Sequence, residues 1–428
     1  MENAKPYEIS RHLVMAAYER VKSNRGSSGI DNVNLEDFGK ELKKNLYKIW
    51  NRMSSGSYFP PAVKLVEIPK SGGGTRPLGI PTVGDRIAQM AALMEITPVL
   101  DALFHSDSYG YRIGKSAHDA LGKTRERCFR YDWVLDMDIS KFFDTIDHEL
   151  LMKAVELHVK SPWCLLYIRR WLTVPYQLPD GSRKERTSGV PQGSVIGPVL
   201  ANLFLHYAFD KWMERNYSRI PFERYADDAV CHCRSYQEAK ELKEAVTRRL
   251  EDCRLRLNQE KTKIVYCKDS NRKGTYEHIS FTFLGYEFRP RRSLSKSGKI
   301  FTSFLPAVSD KAMKRMSETI RSWHMHRHTN IDLQKLADYI NPTVRGWINY
   351  YGKFYPSAMK AYLRHLNFRL AAWVCRKYKR FQGRQMSACF WLGAISHRDK
   401  TLFYHWQWGA IPMVDKRQGF TRNRYRVR

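Results

Sequence analysis

The chain has 428 residues, with 73 Lys and Arg against 43 Asp and Glu, a formal net charge of +30. Hydrophobic residues make up 43%, enough for a folded core, and the length suits two to four domains. No apolar run approaches the roughly 18 residues of a membrane span, and Met1–Lys5 leads into nothing like a signal peptide, so membrane-spanning and secreted classes are not expected.

The charge far exceeds the magnitude of about 2–8 that keeps a small domain soluble, so an acidic polymer, nucleic acid foremost, is the expected partner. The excess is uneven. From Asp310 to Arg428 there are 24 Lys and Arg against 6 Asp and Glu, which is +18 of the total. The eight cysteines are scattered, as suits a reducing cytosol. The one cluster, Cys231-His232-Cys233, has the wrong spacing for a paired zinc knuckle and reads as alternating strand residues.

In chain order, helical periodicity covers 8–23 and 34–54, separated by the loop Asn24–Asp31. Strand-like Ala62–Pro69 and Thr75–Pro81 flank a glycine loop, and a helix follows across 83–105. A strand–helix unit spans 131–158, 164–177 looks helical, and Pro179-Asp180-Gly181 makes a turn. The glycine-proline segment 189–198 opens a helix over 198–216. A hairpin at 222–234, a helix at 236–254, strand-like Thr262–Cys267 and a hairpin containing Phe281–Phe288 come next. Composition turns basic and Ser/Gly-rich near Pro290–Lys299, which reads as a domain boundary. Beyond it, 309–327, 331–353 and 357–381 read as helices. From Gln385 onward the tail is rich in Trp, Phe, Tyr and Arg without clear periodicity. Helices alternating with short strands that need not be parallel suggest an α+β fold on a small antiparallel sheet.

Two acidic motifs carry the chemistry. Arg224-Tyr225-Ala226-Asp227-Asp228-Ala229-Val230 reads as a tight hairpin with adjacent carboxylates at its tip. Such neighbours repel unless a divalent cation neutralises them, and Mg²⁺ is the usual ion for all-oxygen sites. Alone, the doublet would read as a solvated turn. Upstream, Trp133, Leu135, Met137 and Ile139 alternate toward a core, leaving Asp136 and Asp138 on the other face near the strand end. Either could complete a carboxylate trio suited to two-metal phosphoryl transfer, and alternation does not choose between them. Asp144 and Asp147 read as acids at a helix N-terminus.

The motifs taken in order resemble the reverse transcriptase/maturase proteins encoded by bacterial group II introns, from about residue 10 to 383. The matching blocks are Asn24–Asp31; Ile68-Pro69-Lys70 with Thr75–Pro81; Ser108-Tyr109-Gly110-Tyr111-Arg112; Asp138–Phe143; Gly189–Gly193; Tyr225–Asp228 with Lys261-Thr262-Lys263; and Phe283–Tyr286. Asn341-Pro342 with Arg345–Tyr351 looks like the maturase thumb. Ser194 and Gly197 depart from the commoner residues there, small for small. Only about 45 residues follow Arg384, without paired cysteines, so the endonuclease-lacking type is expected.

The resemblance implies a right-hand polymerase, α+β, with fingers and palm on an antiparallel sheet followed by an α-helical thumb. It assigns 1–65 to an N-terminal extension and the start of the fingers, 66–295 to fingers and palm, 300–383 to the thumb, and 384–428 to a short DNA-binding-like segment. It implies that Asp138, rather than Asp136, joins Asp227 and Asp228 in catalysis. Those three acids and Ile139 would hold two Mg²⁺. Lys70, Arg76, Phe143, Gln192 and Ala226 would form the nucleotide pocket, with Phe143 against the ribose 2′-hydroxyl. Phe283, Leu284 and Gly285 would be the primer grip, and Lys261 would protonate pyrophosphate or bind phosphate. Arg112, Arg345, Arg376 and Lys377 would contact nucleic acid. The implied activity is RNA-directed DNA synthesis from a DNA or RNA primer with dNTPs, joined to binding of group II intron RNA, splicing and insertion into target DNA. The implied setting is a bacterial cytoplasm, at the nucleoid when acting on DNA, with no membrane partner and a homodimer allowed. A freestanding relative serving DNA repair or phage defence, or a maturase acting mainly on RNA, are the alternatives.

Overall fold

Two short β-sheets in the first part of the chain set the frame for the candidate site. The computed structural model describes residues 5–69, 74–295 and 297–414. The chain divides into two compact units, Met1–Tyr266 and Cys267–Arg428.

In the first unit, the helix Arg11–Ser23 is capped by the Ser10 hydroxyl, and Leu35–Lys40 by Asn34. The expected single helix over 34–54 is broken at Glu41, after which Leu42–Ser54 resumes. Val63–Pro69 pairs antiparallel with Thr75–Ile80 and in parallel with Tyr176–Gln177, which pairs with Arg183–Lys184. The helix Val83–Leu103 is buried over most of its surface, so it forms the spine of the unit. Thr82 caps it through the amide of Asp85.

The second sheet is wholly antiparallel, in the order Phe222–Tyr225, Asp228–Cys233, Trp133–Met137, Lys263–Tyr266. Trp133, Leu135, Met137 and Ile139 enter the core as the alternation predicts. Helices Gly197–Leu205 and Tyr236–Asp252 pack against this sheet region with apolar faces. The predicted helix over 198–216 contains a five-residue π-helical turn, His206–Asp210, of the kind often found at functional positions. A further helix, Ala117–Arg130, which the periodicity does not predict, opens with a reciprocal capping box between Ser116 and Asp119.

In the second unit, Phe281–Phe283, Tyr286–Leu294 and Ile300–Val308 form a three-stranded antiparallel sheet. The basic stretch near Pro290–Lys299, read as a boundary, instead ends one strand of a long hairpin: Leu294 pairs with Ile300. Its polarity reflects an exposed turn. Helices Asp310–Ser322, Leu333–Tyr351 and Pro356–Lys377 follow and share one apolar core. The tail is no free basic arm as far as Val414. Gln385–Arg398 is helical, and Trp391, Phe403 and Trp406 are buried in that same core, which removes them as stacking surfaces for DNA. No helix among the described residues is long and apolar enough to cross a membrane.

Candidate active site

The acids meet because of strand register. Met137 pairs with Ala229 and Asp136 with Val230; one step further in that register, Asp138 stands opposite Asp228. Facing residues of an antiparallel pair project to one side, so Asp136, Asp138 and Asp228 share a face. Asp227 lies beside them in the two-residue turn closed by the Tyr225–Asp228 pair. Its neighbour Ala226 is left-handed, with φ 57°, an uncommon state for a residue bearing a Cβ.

That turn is held from behind. The Arg224 guanidinium donates to both oxygens of Asp210 at 2.7 and 2.6 Å, to the Asn202 side-chain oxygen at 3.0 Å and to the Ala226 carbonyl at 3.0 Å. Asn202 in turn donates to the Gly110 carbonyl at 2.6 Å. Gly110 lies so close that a Cβ there would come within 2.5 Å of the Ala226 nitrogen. A second buried network fixes the neighbouring strand position: Glu223 accepts from Thr124 at 3.1 Å, contacts His232 at 2.6 Å and pairs with Arg127, which also grips Asp107 at 2.7 Å. His232 thus spends itself on Glu223, and Cys231 and Cys233 are buried strand residues, as read.

The carboxylates sense one another. Loss of hydration pushes the Asp227 carboxyl above the usual range; the charge of Asp138 adds to this, while Arg76 and Arg224 oppose it. Asp228 is pushed up to about 6, first by loss of hydration and then by Asp227 and Asp138, against Lys261. Asp136, deeper in the sheet, is pushed to about 8 by burial and then by Asp228 and Asp138. Lys261 lies 3.1 Å from Asp138, an exposed ammonium paired with a partly buried carboxylate. Among the described residues no three His, Cys, Asp or Glu side chains are gathered into a ready-made metal cage. The donors are nonetheless all-oxygen carboxylates in mutual repulsion. Mg²⁺ typically takes only one or two such groups and completes its shell with water and phosphate.

Above the acids, Arg76 emerges from the strand Thr75–Ile80 and its Nε donates to the Gln192 side chain. The Gln192 carbonyl accepts from the Gly79 amide at 2.7 Å, fastening the glycine loop to the hairpin. The loop is also pinned from the core. Gln89 accepts from the amides of Val195 and Ile196 at 2.8 and 3.3 Å, and donates to the buried Asp85 at 2.9 Å. Lys70 lies outside the described residues. Phe143 is 8% exposed and its ring packs edge-on to Phe142 at 5.3 Å, so most of it is core. Asp147 caps the helix His148–His158 through the Leu150 amide, and Asp144 lies in the first turn of the short helix Phe142–Thr145, both as expected; Asp144 also accepts from Gln192 at 3.5 Å.

In the second unit, Leu284 and Gly285 form the tip of a tight hairpin, with φ 50° and 79°. Tyr350 donates to the Leu284 carbonyl at 2.8 Å, and a side chain on Gly285 would meet the Tyr351 hydroxyl at 3.0 Å. Phe283 is buried, so packing occupies its side chain, while Leu284 is half-buried at the tip and Gly285 offers backbone. The four expected nucleic-acid cations separate. Arg345 and Arg376 are exposed. Arg112 is not available: its donors go to Asp101 and to the carbonyls of His105 and Ser108, at 2.8–3.1 Å. Lys377 is likewise committed, to the carbonyls of Thr329 and Ile331, both at 2.8 Å. Both corrections have one cause, an inward carbonyl set that charge counting does not reveal.

Sequence reasoning missed Asp210, Asn202, Gln89 and Asp85. A polar residue inside an otherwise apolar helix, as Asn202 is within Gly197–Leu205, is the available signal, since burial obliges such a group to find a partner.

Comparison with known proteins identifies the family. Residues 68–288 match the family model "Reverse transcriptase (RNA-dependent DNA polymerase)", and 313–390 match "Group II intron, maturase-specific domain". The chain is 33% identical over 308 residues to Protein YkfC of Escherichia coli, covering 62% of this chain and 76% of that protein. It is 26% identical over 435 residues to the group II intron-encoded protein LtrA of Lactococcus lactis, covering 81% and 69% respectively. A putative COX1/OXI3 intron 1 protein of Saccharomyces cerevisiae is 29% identical over 202 residues, covering 47% of this chain and 24% of that protein. Reverse transcriptases of this family act with divalent metal ions, and the maturase domain implies intron RNA as a partner. The chain therefore belongs to the reverse transcriptase (RNA-dependent DNA polymerase) family, in its group II intron-encoded form with a maturase domain.

Proposed function

We propose that the face formed by Asp138, Asp227 and Asp228 is the polymerising centre, taking two Mg²⁺ ions and adding dNTPs to a primer end on an RNA template. The observation that carries this reading is the register-enforced meeting of Asp138 with the hairpin acids, whose ionised forms burial and mutual repulsion disfavour and a cation would stabilise. Asp138, Asp227 and Asp228, with the Ile139 carbonyl, would hold the metals, which favour attack by the primer 3′-hydroxyl and departure of pyrophosphate.

The chain's own residues do the rest. Arg76 presents a planar fork to triphosphate oxygens, and Lys70 would add a point charge. Gln192, tied to Arg76 and to the Gly79 amide, would line the nucleotide pocket, as would Ala226. Phe143 supplies its accessible edge as the wall against a 2′-hydroxyl. Lys261, beside Asp138, would be free to meet phosphate when a cation takes that carboxylate. Leu284 and Gly285 offer tip backbone to the primer strand. The first unit carries fingers and palm, the second the thumb. The exposed Arg345 and Arg376 contact RNA, and intron insertion would bring target DNA to the same protein.

Primer extension by the purified protein on an RNA template, with and without Mg²⁺, tests this directly. Metal-dependent extension with dNTPs is expected. Its absence on every template–primer would overturn the reading, and a splicing assay with a flanking intron RNA reads the maturase role separately.

A further inference from the structure

Three helices of the second unit, Asp310–Ser322, Pro356–Lys377 and the start of Gln385–Arg398, enclose an open cavity of about 610 Å³ that the polymerase chemistry does not use. Its scale is that of a nucleotide-sized ligand site, roughly 300–1,000 Å³. Arg321 and Arg369 reach it from two helices, and no acidic side chain lines it among the described residues. Both arginines are exposed, and neither has a carboxylate partner among the described residues. The rings of His365 and Phe368, 6.4 Å apart, line the same cavity; Phe368 is half-buried, while His365 is exposed. The hydroxyls of Ser317 and Tyr362 meet at 2.9 Å at the same cavity and can exchange that bond for a ligand's.

We infer that this groove captures one unpaired RNA nucleotide, its base against Phe368 and His365 and its flanking phosphates on Arg321 and Arg369. The inference rests on the reading of this unit as an RNA-binding maturase domain. A basic groove with aromatic platforms is how single-stranded nucleic acid is held, and unstacked bases are what proteins read in RNA. A docking peptide helix would need an apolar floor, and the aliphatic lining here is only Ile320 and Ala372. Ser317 and Tyr362 offer donors and acceptors to the base edge or the 2′-hydroxyl.

The test uses the full chain with its polymerase cleft saturated by a template–primer duplex, and follows binding of a labelled mixed-sequence RNA decamer and of a backbone-matched abasic decamer. The wild type should prefer the decamer that carries bases by at least about fivefold. Arg321→Gln with Arg369→Gln should weaken RNA binding about tenfold and lower the slope of log affinity against log salt by about 1.4, from two lost phosphate contacts. His365→Ala with Phe368→Leu should bring the two decamers to equal affinity, and Phe368→Leu alone serves if the pair proves unstable. Affinity, slope and base preference all unmoved by these variants would overturn the groove assignment. No decamer binding by the wild type would instead sink the RNA-binding reading of the unit as a whole, and extension by each variant, expected unchanged, reports on the catalytic centre independently.

Discussion

Arg224 holds Asp210 by two hydrogen bonds, at 2.7 and 2.6 Å, with both side chains sealed from water, 14 residues apart in sequence. The same guanidinium reaches the Ala226 carbonyl, so a buried ion pair fixes a left-handed turn on which Asp227 sits. Removing one partner of such a pair leaves an unpaired buried charge, at a cost of about 3–5 kcal/mol. Asp210→Ala should lower the denaturant midpoint accordingly. Asp210→Asn, which keeps a hydrogen-bond acceptor, should stay folded yet lose at least about tenfold in kcat, because misplacement of a reacting group by even an ångström is costly. Full activity in a folded Asp210→Asn protein would show that the latch does not position the turn.

Asp227→Ala should abolish primer extension while leaving template RNA affinity within about twofold, since the acid is a ligand of the cation and not of the RNA. Gel-shift binding and extension measured on one preparation separate the two. Extension that survives the change would remove Asp227 from the centre.

The acids also predict how pH acts on the metal-free protein. A carboxyl whose native value is raised binds its proton more readily folded than unfolded. Its contribution to stability is therefore fully present at low pH and declines as pH climbs, from 3.8 to about 6 for Asp228 and to about 8 for Asp136. Mg²⁺ binds the ionised forms, so it should raise Tm more at pH 8 than at pH 5. Thermal melts with and without Mg²⁺ at both pH values check this, and Asp228→Asn should shrink both effects. A metal shift equal at the two pH values contradicts the assignment.

Phe143→Ala should admit ribonucleotides, raising incorporation of an rNTP relative to its dNTP by at least about tenfold, because the wall against the 2′-hydroxyl is lost. The burial of Phe143 adds a cost of about 3–5 kcal/mol in stability. Phe143→Val, which keeps more of the packing, is the companion variant. Discrimination unchanged in both would leave Phe143 as core alone.

Much of the frame could be read from period and turn chemistry. Strand alternation through Trp133, Leu135, Met137 and Ile139 is a local signal with which burial agrees, and the break at Ala226-Asp227 is one with which the Tyr225–Asp228 pairing agrees. The helix Ala117–Arg130 escaped notice because its apolar stripe is thin: it buries only Ala120, Leu121, Thr124 and Cys128 under a charged surface. Its Ser116–Asp119 cap was the readable sign. The helix Gln385–Arg398 failed for the opposite reason. Tryptophan, glycine and small residues spread around it, so no single face announces itself. The partners of Arg112, Lys377 and Arg224 were not legible at all. Charge is written in sequence, but the carbonyls and carboxylates that consume it are brought there by tertiary folding.

The contact between Gly110 and the Ala226 backbone has an evolutionary corollary. Hydrogen is the only substituent that fits there, since a methyl would press on peptide atoms at 2.5 and 3.0 Å. A homologue with any larger residue at this spot must have re-shaped its acidic turn or given up copying, even where every aspartate survives. That single position therefore marks, in a gene inventory, the copies whose acidic turn cannot be the one described above.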